Sequence, residues 1–274
     1  MPELPEAEYM VRRLRESAPA ARITRVRILR ESSAEGALAR HARGLITGYS
    51  RRAKNVLIHL DTGYTLRIQL GMTGHIYWTP NHRQPPRFTR IAFILETGAA
   101  LAFEDARVFG SAAALLTTRL PEILAAYGPE PLDPAFHWRH LQTAARGLRQ
   151  EVKPFLMDQR RLAGLGNIWA AEALFAARIH PARPVPTLAE EDWRALHRAI
   201  RATLRRAIAN TFKVTARPEE FPEADLLTVA VYGRAGLPCR RCRTPILREV
   251  QAARATFYCP ACQAVAAPPA SPLL

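Results

Sequence analysis

The four cysteines of this chain fall in one pattern, Cys239-x2-Cys242-x16-Cys259-x2-Cys262. Two Cys-x-x-Cys corners joined by a hairpin-sized spacer bring four thiolates within reach of one tetrahedral ion, and zinc prefers this donor set. A ribbon this small cannot bury a core of its own, so metal binding becomes its folding free energy. The competing reading, two disulfides or redox pairs, needs an oxidising compartment. The acidic start over residues 1–8 does not read as a secretory leader, which favours reduced thiols and a cytoplasmic location. Arg240, Arg241, Arg243, Arg248 and Arg254 lie in or beside the ribbon, as expected of a surface that meets a polyanion.

The whole chain points the same way. Its 274 residues carry a formal charge of +15, an excess that calls for a polyanionic partner, either nucleic acid or an anionic membrane surface. Nucleic acid is the expected partner, with the anionic membrane surface or a merely basic proteome as alternatives, and no apolar run approaches the roughly 20 residues of a membrane span. Of the 39 basic residues only Lys54, Lys153 and Lys213 are lysines. Arginine supplies the planar fork that matches phosphate. A lysine kept against that bias suits a crowded site that needs a compact donor.

The pattern along the chain divides in two. After a proline-rich turn, residues 6–16 read as a helix with Met10, Val11 and Leu14 on one stripe. Strand signals follow at 23–29, at 55–60 and 64–70 around Asp61-Thr62-Gly63, and at 91–95 and 100–103 around Thr97-Gly98. Residues 79–90, with three prolines, read as a loop. Together these predict a β-sandwich with a flanking helix over residues 1–118. A proline-punctuated linker over 119–135 leads into helices at 136–145, 152–157, 169–177 and 190–208, a helical domain over 136–230. Between the second and third helices, Ala163-Gly164-Leu165-Gly166-Asn167-Ile168 makes a turn whose exposed amides suit a phosphate. The ribbon occupies 231–263, and the Ala/Pro-rich stretch 264–274 reads as a disordered tail.

A Pro2 start is common and by itself mostly carries no meaning, but the N-terminus also offers the parts of a reagent. Removal of Met1 leaves Pro2 with a free secondary amine, a nucleophile able to attack a sugar carbon and form an iminium. Its pKa, near 8 for an α-amino group, leaves a useful neutral fraction at physiological pH. Glu3 stands next to it as a proton donor, and Glu6, one turn on, suits a supporting role.

Three segments now carry a resemblance: Pro2-Glu3-Leu4-Pro5-Glu6, Gly164-Leu165-Gly166-Asn167-Ile168-Trp169-Ala170, and Val231-Tyr232-Gly233-Arg234 leading into the cysteines. In this order the chain resembles the formamidopyrimidine-DNA glycosylase / endonuclease VIII family over residues 1–263. The resemblance implies an α+β multidomain protein: β-sandwich, helix-two-turn-helix domain and zinc ribbon hairpin. It implies a monomeric DNA-repair enzyme of the cytoplasm and nucleoid that flips an oxidised base out of duplex DNA. Excision then runs through a proline Schiff base, and β- and δ-elimination nick the strand. Oxidised bases and abasic sites in double-stranded DNA are the implied partners, with one structural zinc ion and no catalytic metal.

Carried over by position, Pro2 resembles the nucleophile, Glu3 the acid and Lys54 the catalytic hairpin lysine. Arg254, in Arg254-Ala255-Thr256-Phe257-Tyr258-Cys259, resembles the finger arginine that binds the adjoining phosphate and assists δ-elimination. Lys153 and Asn167 resemble phosphate-gripping residues, although the Asn167 side chain also suits a helix N-cap. Glu172 falls where the family keeps an acid on the helical side of the pocket. Met72, Arg107 and Phe109 resemble the triad that fills the void left by base flipping, with Arg107 on the orphaned cytosine. On bare chemistry Met72 and Phe109 are core residues, but their flanking glycines argue for exposed tips. The triad favours the formamidopyrimidine branch.

One region departs from the pattern. Residues 210–230 hold no glycine and two prolines, where relatives that excise 8-oxoguanine carry a glycine-rich cover over the base. The expected substrates are therefore formamidopyrimidines first and 8-oxoguanine second. The competing readings are oxidised pyrimidines by the same chemistry, a non-catalytic binder of damaged DNA, and a ribbon-based RNA or transcription binder. The last two leave Pro2, Glu3 and Lys54 without a purpose.

Overall fold

A computed structural model of the chain describes residues 2–214 and 228–264. Most of the glycine-free segment (215–227) and the expected tail from residue 265 lie outside the described residues. The chain divides into two compact units, Met1–Gly128 with Arg205–Thr228, and Pro129–Leu204 with Val229–Leu274.

The first unit opens with helix α1 (Leu4–Ser17), where Pro5 sits in the first turn and needs no N–H. Nine strands follow among the described residues: β1 (Arg22–Ile28), β2 (Ala34–Glu35), β3 (Gly44–Arg52), β4 (Asn55–Leu60), β5 (Tyr64–Gln69), β6 (His75–Thr79), β7 (Thr89–Leu95), β8 (Ala100–Glu104) and β9 (Ser111–Leu116), with the short helix α2 (Leu38–His41) before β3. They pair in the order β2-β9-β5-β4-β3-β1-β7-β8-β6. The β1–β3 seam is short, Arg22 opposite Leu45 and Ile23 opposite Gly44, so the sheet folds over there into two layers. Ile46, Ile58, Leu66 and Ile68 of one layer share a core with Ile23, Ile91, Phe93 and Phe103 of the other, and with Met10, Val11 and Leu14 of α1. This is the expected sandwich with its flanking helix.

The hairpins β4–β5 and β7–β8 form around the turns that the sequence marks. Strand β9, Ser-Ala-Ala-Ala-Leu-Leu, carries little intrinsic β preference and gave no sequence signal. It forms because β5 pairs with it along its length, a case of tertiary pairing overriding propensity. Helix α3 (Leu120–Leu124) forms in the stretch read as linker and packs Leu120 and Leu124 on Leu57.

The second unit contains α4 (Trp138–Ala144), α5 (Val152–Met157), α6 (Asn167–Ala177) and the start of α7 (Glu190–Val214). The pair α5–turn–α6 is the helix-two-turn-helix. Helix α7 runs to Val214 and not to 208, because residues 209–214 contain no helix breaker and Phe212 meets Tyr9 of α1 edge to face at 4.9 Å. Strands β10 (Leu247–Gln251) and β11 (Arg254–Tyr258) form the ribbon hairpin. Its Ile246, Phe257 and Cys259 pack on Ala171 and Phe175 of α6, so the ribbon borrows a helix as well as a metal for its core. Among the described residues no helix is long and apolar enough to cross a membrane.

Candidate active site and nucleic-acid interface

Pro2 and Glu3, the expected nucleophile and acid, lie at the start of α1. Pro2 and Glu3 are buried. The Glu3 carboxylate accepts the Glu6 N–H, while the Glu6 carboxylate accepts the Glu3 N–H at 2.8 Å, a reciprocal capping box. Glu6 therefore fixes the backbone that presents Pro2 and holds Glu3 beside it.

Lys54 sits half-buried on the two-residue turn between β3 and β4, where Arg52 pairs with Asn55. Ala53 has φ 53°, a conformation a non-glycine residue keeps only when its neighbours hold it. Arg51 does so: its guanidinium donates to the Ala53 carbonyl at 2.9 Å and to Glu8 of α1 at 3.3 Å. Burial works to raise the Glu8 pKa, but Arg12 and Arg51 outweigh it and hold the carboxyl below its usual value. The lysine turn is thus tied to α1, the helix that follows Pro2 and Glu3. Sequence reasoning missed Glu8 and Arg51, since nothing local links residues so far apart.

Met72 and Phe109 are 36% and 58% exposed, and the Arg107 guanidinium lies 5.0 Å above the Phe109 ring. Their two loops touch backbone to backbone. Gly71 has φ 59°, and a Cβ there would lie 2.6 Å from the Phe109 carbonyl carbon. Gly71→Ala should therefore combine strain with a clash and lower stability by about 3 kcal/mol. Urea denaturation checks this, and a loss below about 1 kcal/mol would show that the loops part easily.

In the second unit, Lys153 is only 1% exposed. Its ammonium donates to Asn167 Oδ1 at 2.6 Å and Thr256 Oγ1 at 2.7 Å, both neutral acceptors. Asn167 in turn donates to the Ala255 carbonyl at 2.9 Å. Asn167 is the first residue of α6 and Gly166 holds the N-cap position, so the capping role expected of Asn167 is not its own. The turn before it is buried throughout, contrary to the expected exposed amides. Gln159 fills it, accepting from the Gly164 N–H at 2.8 Å and donating to the Leu165 carbonyl at 2.6 Å.

Arg254 starts β11, exposed, directly after Ala252 and Ala253, whose φ of 47° and 60° make a tight turn without glycine. Lys153, Gln251 and Arg254 line a cavity of about 260 Å³ that also meets Asp158. Hydrogen bonds from Arg160, with Arg161 nearby, keep the Asp158 carboxyl below its usual pKa and offset its charge.

Glu172 is buried on α6, and its two oxygens accept the N–H groups of Ala230, Val231 and Tyr232 at 2.7, 2.8 and 2.9 Å. A carboxylate so occupied fastens the chain that leads into the ribbon. Glu172→Gln puts an NH2 against one of these donors and should cost about 2–3 kcal/mol. Chemical denaturation of the variant tests this, and unchanged stability would free Glu172 for another duty.

The four cysteine sulfurs all lie within 4.8 Å of one another, with Cys239–Cys262 at 3.9 Å and Cys242–Cys259 at 3.4 Å. A tetrahedral site with Zn–S bonds of about 2.3 Å needs sulfurs about 3.8 Å apart, so the set fits zinc. Bound by all four, zinc would have no open position and would act in folding.

Three family models match the chain in sequence: the formamidopyrimidine-DNA glycosylase N-terminal domain over residues 1–112, the formamidopyrimidine-DNA glycosylase H2TH domain over 127–217, and the zinc finger found in FPG and IleRS over 236–265. The formamidopyrimidine-DNA glycosylase of Roseiflexus sp. is 38% identical, over 96% of this chain and all of its own. The crystal structure of MutM (FPG) from Thermus thermophilus is also 38% identical, with a TM-score of 0.84 over 96% of this chain and 98% of that one. Lactococcus lactis Fpg (MutM), 28% identical, reaches a TM-score of 0.88 over 96% of this chain and all of its own. It was solved with DNA containing N7-benzyl-Fapy-dG and with DNA containing an oxidized pyrimidine. Matched from sandwich to ribbon at such identity, this chain belongs to the formamidopyrimidine-DNA glycosylase family, on the Fpg branch.

Proposed function

We propose that this chain is a bifunctional DNA glycosylase and AP lyase that removes oxidised purines, formamidopyrimidines first, from double-stranded DNA. The first turn of α1 carries the reading, because it presents Pro2 beside a buried acid in a doubly capped helix start. A damage-binding protein has no use for that arrangement.

The Pro2 amine attacks C1′ of the flipped nucleotide as Glu3 gives a proton to the sugar ring oxygen and the base departs. The resulting iminium is an electron sink: loss of the C2′ proton expels the 3′-phosphate, and a second elimination expels the 5′-phosphate. Lys54 serves the reacting sugar. Lys153, Asn167 and Arg254 grip phosphates, with Arg254 assisting the second elimination, and Met72, Arg107 and Phe109 fill the vacated stack. The protein works as a monomer in the cytoplasm, bound to the nucleoid, where its thiols stay reduced.

A panel of duplexes carrying one lesion each tests substrate choice. Formamidopyrimidine opposite cytosine should be excised fastest and 8-oxoguanine opposite cytosine more slowly, since residues 210–230 lack the glycine-rich cover. Products should carry phosphate at both ends of a one-nucleotide gap. Thymine glycol or dihydrouracil outpacing both purine lesions would move the enzyme to oxidised pyrimidines.

A further inference from the structure

Asp105 is a fully buried acid for which the reaction has no use. It stands where the Met72 turn meets the loop of Arg107 and Phe109. Its carboxylate accepts the Gly110 N–H at 2.7 Å, the Arg107 N–H at 3.3 Å and the Thr73 hydroxyl. The Thr73 oxygen also accepts the Arg107 N–H at 3.0 Å. From outside, Arg90 donates to the carbonyls of Asp105 at 2.7 Å and Ala106 at 3.3 Å. A Cβ on Gly110 would lie 2.6 Å from the Gln69 carbonyl oxygen, so the loop is seated directly on the strand end that leads to Met72. Val108 has φ 57°, which a β-branched residue adopts only when its surroundings over-determine it.

These bonds give Met72, Arg107 and Phe109 a common base. Side chains that enter a stacked duplex work best when already placed, because loops that order on binding lose conformational entropy at that moment. We propose that Asp105, acting with Thr73, is the positioning residue that locks the two loops into one preformed wedge and so sets selectivity for the base opposite the lesion. The proposal deepens the void-filling reading given above and rests on it.

Asp105→Asn leaves one acceptor where three donors converge. Thr73→Val removes the hydroxyl and keeps the shape, and Thr73→Ser keeps the hydroxyl. The probes are duplexes with one formamidopyrimidine opposite cytosine or adenine, and a single-stranded abasic oligonucleotide, which has no stack to fill. Asp105→Asn and Thr73→Val should slow excision opposite cytosine about tenfold and bring the cytosine-to-adenine ratio toward one, with Thr73→Ser near the parent. Borohydride trapping on the single strand should stay within about twofold of the parent. Parallel loss on single strand and duplex would overturn the proposal, because it would mark general damage. Arg107→Ala separates the two layers of the argument. If it loses the preference while Asp105→Asn and Thr73→Val keep it, the clamp fails alone; if it too keeps the preference, the wedge reading beneath fails.

Discussion

Borohydride reduction of this protein on abasic duplex DNA is expected to give one covalent adduct, located at Pro2 by peptide mass analysis. Glu3→Gln should lower single-turnover base excision by about 10²- to 10⁴-fold, the range of a lost general acid. The substitution isolates chemistry from folding. Glutamine still offers an oxygen to the Glu6 N–H, so the capping box that starts α1 has its acceptor, and thermal stability should change little. What is lost is the proton for the sugar ring oxygen. An adduct on Lys54, or a Glu3→Gln enzyme within about fivefold of the parent, would remove the first turn of α1 from the mechanism.

Metal analysis should find one zinc per chain, and Cys259→Ser should release it. Cys259 is fully buried, and it packs in the same cluster as Phe257 and Ile246 of the ribbon and Phe175 of α6. Losing the ion removes about 10–16 kcal/mol of binding free energy, more than a small hairpin can replace by burial. Arg254 and Thr256, both on β11, would then lose their fixed positions, and with Thr256 goes one partner of the Lys153 ammonium. Binding to lesion DNA should weaken about 100-fold, with a shallower salt dependence as phosphate contacts disappear. Chelation of the parent protein should reproduce the loss, with new protease sensitivity across residues 236–264. Active, folded protein that contains no zinc would refute this account.

Much of this protein was legible before any fold was known, wherever the signal is local. The cysteine spacing specifies a tetrahedral site. The turns at Asp61-Thr62-Gly63 and Thr97-Gly98 specify two hairpins, because turn chemistry acts over a few residues, whereas a Pro-Glu start is common and suggests a reagent only alongside the other segments of the family pattern. Glycines beside Met72 and Phe109 announced loop tips, and both side chains are exposed. Strand β9 was invisible because its alanines prefer nothing strongly, and its pairing with β5 decides. The duties of buried polar groups were hidden for a related reason. Glu172 meets amides at 230–232, Lys153 meets Thr256, Arg51 meets Glu8 and Asp105 meets Thr73. A buried polar group must find a partner, but which partner it finds depends on segments that only the folded chain brings together. Local spacing specifies the metal site and only nominates the reagents; what holds these groups in place follows from contacts between segments far apart in the chain.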